Sequence, residues 1–360
     1  MNPDKISKIR FALKESGIES LFVSCQENVV YLTGIIGLNT GQREAFLFIT
    51  GAEVYLLAFS TTFLSYQHLP NINKVELTVN FRLHQALNNI IKQNKLKKIG
   101  FESDFMTYGE VGSLKQKLNA ALIPTSGIIE NFRLVKSDEE IANIKKAAQI
   151  TDKAFSYILT EIKPGVSEKL LALKIEHFIK NHAQNISFFP IVAFNQNSAI
   201  PHYLPSDKIS LKKNSVVLLD FGAKYENYCS DMTRVVFFGP PQDKIIKIFT
   251  TVKKAQELAL NSVKTGISGH SIDKISREFI DKTGYPAYSH GLGHGVGLAI
   301  HENPRLRPNI SNKLEQGMVF TIEPGIYIPG FAGVRIEDLL VLRKDGPEIL
   351  SKSTKEIIIL

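Results

Sequence analysis

Apolar and polar positions alternate along this chain in two regimes that meet near residue 130. In the first, Ile6, Ile9, Phe11 and Leu13 predict a short amphipathic helix. The run SLFVS (20–24) reads as a strand. EAFLFIT (44–50) and VYLLAF (54–59), on either side of a turn containing Gly51, read as a hairpin. Helical patterns near 81–93 and 107–118 enclose a short strand, KKIGF. Strands and helices mixed in this way indicate an α/β domain over residues 1–130.

The second regime opens with LVKSDEEIANIKKAAQITDKAFSYIL. Ser137 is placed as an N-cap, and Glu140 three residues on completes a capping box. Ile141, Ile144, Ala148, Ile150 and Phe155 follow at helical spacing, so the domain boundary falls just before this helix and the second domain covers 131–360. Further helices are expected after KPGVSE, at 243–261 and at 269–282. Four strand patterns complete the domain: SVVLLDFG (215–222), SDMTRVVFFG (230–239), GMVFTIEPG (317–325) and GVRIEDLLVL (333–342). They pair as two hairpins, with Asp220 and Asp231 flanking the first turn and Glu323 and Glu337 the second. The arrangement resembles a duplication, two hairpins facing each other across one site.

Composition narrows the class. With 360 residues, 44% hydrophobic and 22% charged, the chain is ordinary globular protein of about two domains. The net charge of +8 is spread along the chain, and the densest cluster, Lys95, Lys97 and Lys98, lacks interleaved aromatics, which argues against nucleic acid. No apolar run has the length of a membrane span, and the first residues have no signal-peptide core. Two distant cysteines, Cys25 and Cys229, are too few for a disulfide framework and point to reduced thiols in a cytoplasm.

Asp220 closes a nearly continuous apolar strand, where a charge is costly unless it is paired or bound to a cation; an exposed strand end is the ordinary alternative. Asp231 lies eleven residues on, and the hairpin brings the two together. Close carboxylates repel and one takes up a proton, unless a divalent cation removes the penalty. Arg234 offers a salt bridge to one of them at most. In HGLGHGVGLAIHENP, His290, His294 and His301 are three of the chain's nine histidines. The intervening glycines permit close backbone approach and do not suit a core strand. Glu323 precedes Pro324 and Gly325, which end its strand. Glu337 is read as mid-strand, on the same face as Arg335 and opposite Asp338. Four carboxylates and an imidazole, His294, exceed what one ion neutralises. Hard oxygen donors favour Mn, Mg or Ca, and the imidazole tilts the choice to a transition metal. Two such ions lower the pKa of a bridging water to give hydroxide and polarise a carbonyl, which leads to amide or ester hydrolysis.

The segments DFGAKYENYCSDMTR, HGLGHGVGLAIHENP, GMVFTIEPGIY and GVRIEDLLVL resemble the signature blocks of the prolidase and aminopeptidase P group of pita-bread metallopeptidases. NVVYLTGI and LVKSDEEIANIKKAAQITDKAF are similar to its proline-peptidase branch. The resemblance implies a creatinase/prolidase-type N-terminal α/β domain, ribonuclease H-like, followed by an α+β pita-bread catalytic domain. It implies two divalent ions, manganese first with cobalt, iron or zinc as substitutes, held by Asp220, Asp231, His294, Glu323 and Glu337. It assigns Glu323 as proton carrier, His301 to the tetrahedral intermediate, His202 (in NSAIPHYLP) and His290 to the substrate, and Tyr327 and Arg335 to steadying the site. The substrates implied are short peptides with proline second, cut by an Xaa-Pro dipeptidase or an Xaa-Pro aminopeptidase, and the assembly a cytoplasmic homodimer. Phe194, Asn195, Leu292 and Ala299 depart from common family residues and bear on substrate preference. The alternative is a non-catalytic peptide- or protein-binding module on the same fold; such modules have lost metal ligands, whereas all five are present here.

Overall fold

The structure is a computed structural model that describes residues 3–36 and 42–360. The chain divides into two compact units, Met1–Arg133 and Leu134–Leu360.

In the first unit the strands are β1 (Ser20–Val23), β2 (Ala45–Thr50), β3 (Val54–Phe59), β4 (Asn73–Leu77), β5 (Lys98–Glu102) and β6 (Ala121–Thr125). They form one mixed sheet in the order β4-β3-β2-β1-β5-β6, antiparallel at β1–β2 and β2–β3 and parallel elsewhere. The helices are α1 (Pro3–Glu15), α2 (Gln26–Thr33), α3 (Ser60–Phe63), α4 (Leu83–Gln93), α5 (Tyr108–Lys117) and α6 (Glu130–Arg133). Phe22, Phe48 and Leu57 of the sheet pack on Ala86, Leu87, Ile90 and Ile91 of α4 and on Leu114 of α5. Helix α1 buries Ile6, Ile9 and Leu13, but Phe11 is 67% exposed. Two residues of helix turn a side chain about 200° away, so Phe11 cannot share a face with Ile9 and Leu13. The edge strands β4 and β6 escape the apolar pattern because β4 is half-exposed and β6 carries Pro124, which an edge tolerates.

The second unit contains α7 (Asp138–Glu161), α8 (Glu168–His182), α9 (Asp243–Ser262) and α10 (Gly269–Lys282). Its early strands are β7 (Asn185–Ile186), β8 (Ile191–Phe194), β9 (Ser215–Phe221), β10 (Ala223–Tyr225), β11 (Tyr228–Cys229) and β12 (Met232–Phe238). The later ones are β13 (Gly293–Gly295), β14 (Glu302–Leu306), β15 (Val319–Ile322), β16 (Gly325–Ile328), β17 (Ala332–Arg335), β18 (Asp338–Arg343) and β19 (Gly346–Ile349). Two sheets dominate, β12-β9-β8 and β14-β13-β15-β18-β19, with ribbons β16-β17 and β11-β10-β7 beside them. The mixed α/β first unit and the helix-flanked antiparallel sheets of the second agree with the two fold classes expected.

The capping box forms as anticipated: Ser137 Oγ accepts from Glu140 N, and the Glu140 carboxylate accepts from Ser137 N. The 24-residue helix it starts spans both sheets. Ile141, Ile144 and Ala148 pack on Val319, Leu339 and Val341, while Ile150, Ala154, Phe155 and Ile158 pack with Val217, Leu219 and Phe221. The other face of β9 carries Val216 and Leu218 into the core under α9. Strand alternation places Asp220 next on that inner face.

Strand β13 corrects one expectation. Its glycines lie in a central strand, between β14 and β15. A Cβ on Gly293 would stand 2.0 Å from the Thr321 carbonyl oxygen, and one on Gly295 2.1 Å from that of Asn303. Glycine suits this strand because its neighbours' backbones come closer than any side chain allows.

Candidate metal centre

Each carboxylate reaches the site from a strand end or break. Asp220 is the penultimate residue of β9, paired across the hairpin with Thr233. Asp231 immediately precedes β12, and Glu323 immediately follows β15. Glu337 is not mid-strand: it falls in a break between β17 and β18. Its backbone is taken over by the other hairpin, since Glu337 N donates to Thr233 O at 3.1 Å and Arg234 Nη1 donates to Glu337 O at 2.5 Å. The break in one hairpin is therefore the seam that joins it to the other.

His294, in the middle of β13, supplies the imidazole. Its Nε2 lies 3.6 Å from Asp231 Oδ2 and 3.4 Å from Glu323 Oε1. Donor atoms of Asp231, His294 and Glu337 all lie within 4.8 Å of one another. Two threonines aim the carboxylates. Thr233 Oγ1 donates to Glu337 Oε2 at 2.6 Å, and Thr321 Oγ1 donates to Glu323 Oε1 at 3.2 Å while accepting from His294 N.

Among the described residues, Arg335 is the cation whose side chain pairs with a carboxylate of the cluster. It donates to Asp220 Oδ2, Thr233 Oγ1 and Tyr327 Oη at 2.5, 2.9 and 2.8 Å. Its hydrogen-bonded route to Glu337 runs through Thr233, and its charge also acts on Glu337. Arg234 is spent elsewhere: it pairs with Asp338 Oδ1 at 2.6 Å, and Lys355 takes the other oxygen of Asp338 at 2.6 Å. Neither aspartate of the first hairpin gets the salt bridge that Arg234 might have offered.

His290, Tyr327 and Arg335 form a chain whose protons can be assigned. Arg335 can only donate, so the Tyr327 hydroxyl donates onward to His290 Nε2 at 2.9 Å. The His290 proton is then on Nδ1, which reaches Gly291 O at 2.7 Å. Burial, then the charge of Arg335, pushes the His290 pKa down to about 4, so the ring is neutral. Burial likewise lowers His294 to about 3 and raises Tyr327 to about 12.

The carboxylates carry the opposite strain. Burial, followed by the charges of Glu337, Asp220 and Glu323, holds Asp231 well above the usual carboxylate range. Burial and the charge of Glu337 do the same to Glu323, and burial and Asp220 push Glu337 up to about 8. Asp220 Oδ1, Asp231 Oδ1 and Glu337 Oε1 are buried with no hydrogen-bond donor among the described residues. Three buried carboxylates and the partly buried Glu323 around one guanidinium, with three unsatisfied oxygens and a neutral imidazole, fit divalent cations and little else.

A cavity of about 490 Å³ opens on the cluster. Of the residues singled out in the sequence, Asp220, Asp231, His294, Glu323, Glu337, Arg335, His202, His290 and His301 line it. Tyr327 does not; its hydroxyl contacts His290 and Arg335. The His301 ring stands edge-on to His294, centroids 4.3 Å apart, and burial lowers its pKa. Phe188, Phe189, Tyr203, Leu204, Arg305 and Arg307 also line the cavity and were not anticipated. Thr233 and Thr321 were missed too, though each sits two residues from a carboxylate, the strand spacing that already linked Arg335 to Glu337.

Comparison with known proteins agrees with this geometry. Residues 5–135 match the Creatinase/Prolidase N-terminal domain and residues 142–344 match Metallopeptidase family M24. The Xaa-Pro dipeptidase of Pyrococcus horikoshii is 36% identical over 358 residues, 99% of each chain. The structure of the Xaa-Pro dipeptidase from Bacillus anthracis superposes with a TM-score of 0.93 at 36% identity, covering 99% of each chain. That of the X-Pro aminopeptidase from Thermotoga maritima gives 0.87 at 31% identity, covering 96% of this chain and 98% of the other. The sheets, the buried acidic cluster and these matches together establish that the chain belongs to metallopeptidase family M24.

Proposed function

We propose that this protein is an Xaa-Pro dipeptidase that hydrolyses the bond before proline with two divalent ions, manganese first. The observation that carries the reading is the buried cluster of Asp220, Asp231, His294, Glu323 and Glu337, with oxygens left unsatisfied at the floor of an open cavity. These five residues would hold the ions. When bound, the ions supply Lewis acidity toward the scissile carbonyl and acidify water.

The chain's own groups do the rest. Glu323, steadied by Thr321, receives the proton of the attacking water and delivers it to the proline nitrogen, which has no hydrogen of its own and leaves only once protonated. His301 is neutral near pH 7, and its N–H, with that of His202, donates to the oxyanion. His290 lines the substrate's place. Arg305 and Arg307 put two cations in the cavity wall, suited to a carboxylate one residue beyond the scissile bond. That favours dipeptides over longer peptides. Two cysteines far apart in the sequence, Cys25 and Cys229, support a reducing, cytoplasmic setting, and the family resemblance supports a homodimer.

The test is hydrolysis of Ala-Pro beside Ala-Pro-Ala by metal-stripped protein, before and after adding manganese. The reading expects manganese-dependent proline release from Ala-Pro and little cleavage of the tripeptide. The reverse ratio would make the enzyme an aminopeptidase. No cleavage of either with manganese, cobalt, iron or zinc would overturn the peptidase reading.

A further inference from the structure

Helix α10 lies behind the loop that carries His290, and two of its side chains grip that loop. Arg277 Nη1 donates to Tyr288 O at 2.6 Å and Nη2 to His290 O at 2.5 Å. Its guanidinium lies 4.1 Å over the Tyr288 ring, which stacks on the His290 ring with centroids 5.1 Å apart. Asp273, one helical turn earlier and 1% exposed, accepts from Arg277 Nε at 2.7 Å with one oxygen. With the other it accepts from Leu292 N at 3.1 Å and Tyr288 Oη at 3.3 Å. The loop is thus held at residues 288, 290 and 292 from one helix, while the Tyr327 hydroxyl fixes the His290 ring from the opposite side. Neither Asp273 nor Arg277 lines the cavity.

We propose that Arg277, oriented by Asp273, is a positioning residue for substrate binding: it sets the place of the His290 ring in the cleft without touching the substrate. This rests on the reading of the cavity as the peptide cleft. The planar fork matters, because two carbonyls and a carboxylate must be met at once from three directions. A lysine ammonium on a thinner stem cannot span them. The two residues also divide the loop. Arg277 holds the carbonyls of 288 and 290 and the Tyr288 ring, whereas Asp273 also holds Leu292, whose carbonyl receives Glu323 N.

The experiment compares manganese-loaded wild type with Arg277→Gln, Arg277→Lys and Asp273→Asn on Ala-Pro. It measures kcat, KM and bound metal and, on zinc-loaded protein because manganese is paramagnetic, the imidazole ¹⁵N signals of His290, assigned by their loss in His290→Gln. For Arg277→Gln, KM should rise about tenfold with kcat within about threefold, the pattern of lost ground-state binding. Metal content should be unchanged and the His290 signals should move away from the Nδ1–H tautomer. Arg277→Lys should not restore KM, and Asp273→Asn should lose metal as well. A folded Arg277→Gln with unchanged KM and His290 signals overturns the proposal, as does a fall in kcat with lost metal, or full rescue by lysine. If wild type hydrolyses nothing, the peptidase reading fails, and the His290 signals still decide the positioning role.

Discussion

Arg335 donates to one oxygen of Asp220, Oδ2, and leaves the other, Oδ1, buried without a donor. The bond orients the carboxylate so that its free oxygen is available to a cation, and it couples that orientation to Thr233 and Tyr327 through the same guanidinium. Arg335→Lys keeps the charge but cannot hold three partners. Metal affinity and kcat/KM should each fall about 10- to 100-fold, as for groups that orient metal ligands. Isothermal titration with manganese and steady-state kinetics check this; an unchanged affinity would reduce Arg335 to a simple counter-charge.

Metal-free protein should lose stability as pH rises. The folded-state pKa values of Asp231, Glu323 and Glu337 are raised, Glu337 from 4.5 to about 8. A raised carboxyl binds its proton more tightly in the folded state. Its contribution is fully present below about pH 4.5 and is lost as pH climbs through about 8. Calorimetry at pH 5, 7 and 9 should show Tm falling in the stripped protein and a stabilisation by manganese that widens with pH. A stripped Tm that rises over this range would contradict the cluster's repulsion.

Asp231→Asn should separate activity from stability. Hydrolysis should drop at least ~10³-fold, about 4 kcal/mol of transition-state stabilisation. The stripped variant should nevertheless hold its Tm better than wild type as pH rises, because no charge can develop there against Glu337, Asp220 and Glu323. Retained full activity would remove Asp231 from the metal centre.

The same substitution at two glycines should have opposite effects. Gly293→Ala would press a methyl 2.0 Å from Thr321 O and should destabilise by about 3 kcal/mol or more. Gly112 lies within α5 with nothing within 4 Å of its added Cβ, so Gly112→Ala should stabilise by roughly 0.8 kcal/mol. Thermal unfolding of both variants suffices to check the pair.

Much of the second unit was legible because its signals are local. Ser137 and Glu140 cap a helix within one turn, and the β9–β12 hairpin announces itself by apolar runs on either side of a polar turn. What escaped depends on contacts distant in sequence. Gly293 sits in a central strand only because Thr321 comes up against it. Glu337 reads as mid-strand by alternation, yet its N–H leaves its own sheet for Thr233. Arg234 lies three residues from Asp231, but its partner is Asp338. The five metal-binding candidates stood out as chemistry, whereas their supports, Thr233 and Thr321, are ordinary strand residues until paired.

The seam between the hairpins also bears on how the chain folds. Thr233–Glu337 and Arg335–Asp220 join residues 104 and 115 positions apart. Such contacts form only after a long loop has closed, and in the bare chain the acidic groups resist being brought together. Loop closure and charge repulsion together favour late assembly of the centre. A divalent ion held there should act on escape from the native state: it should slow unfolding and leave the refolding rate nearly untouched, a kinetic clasp on the finished molecule.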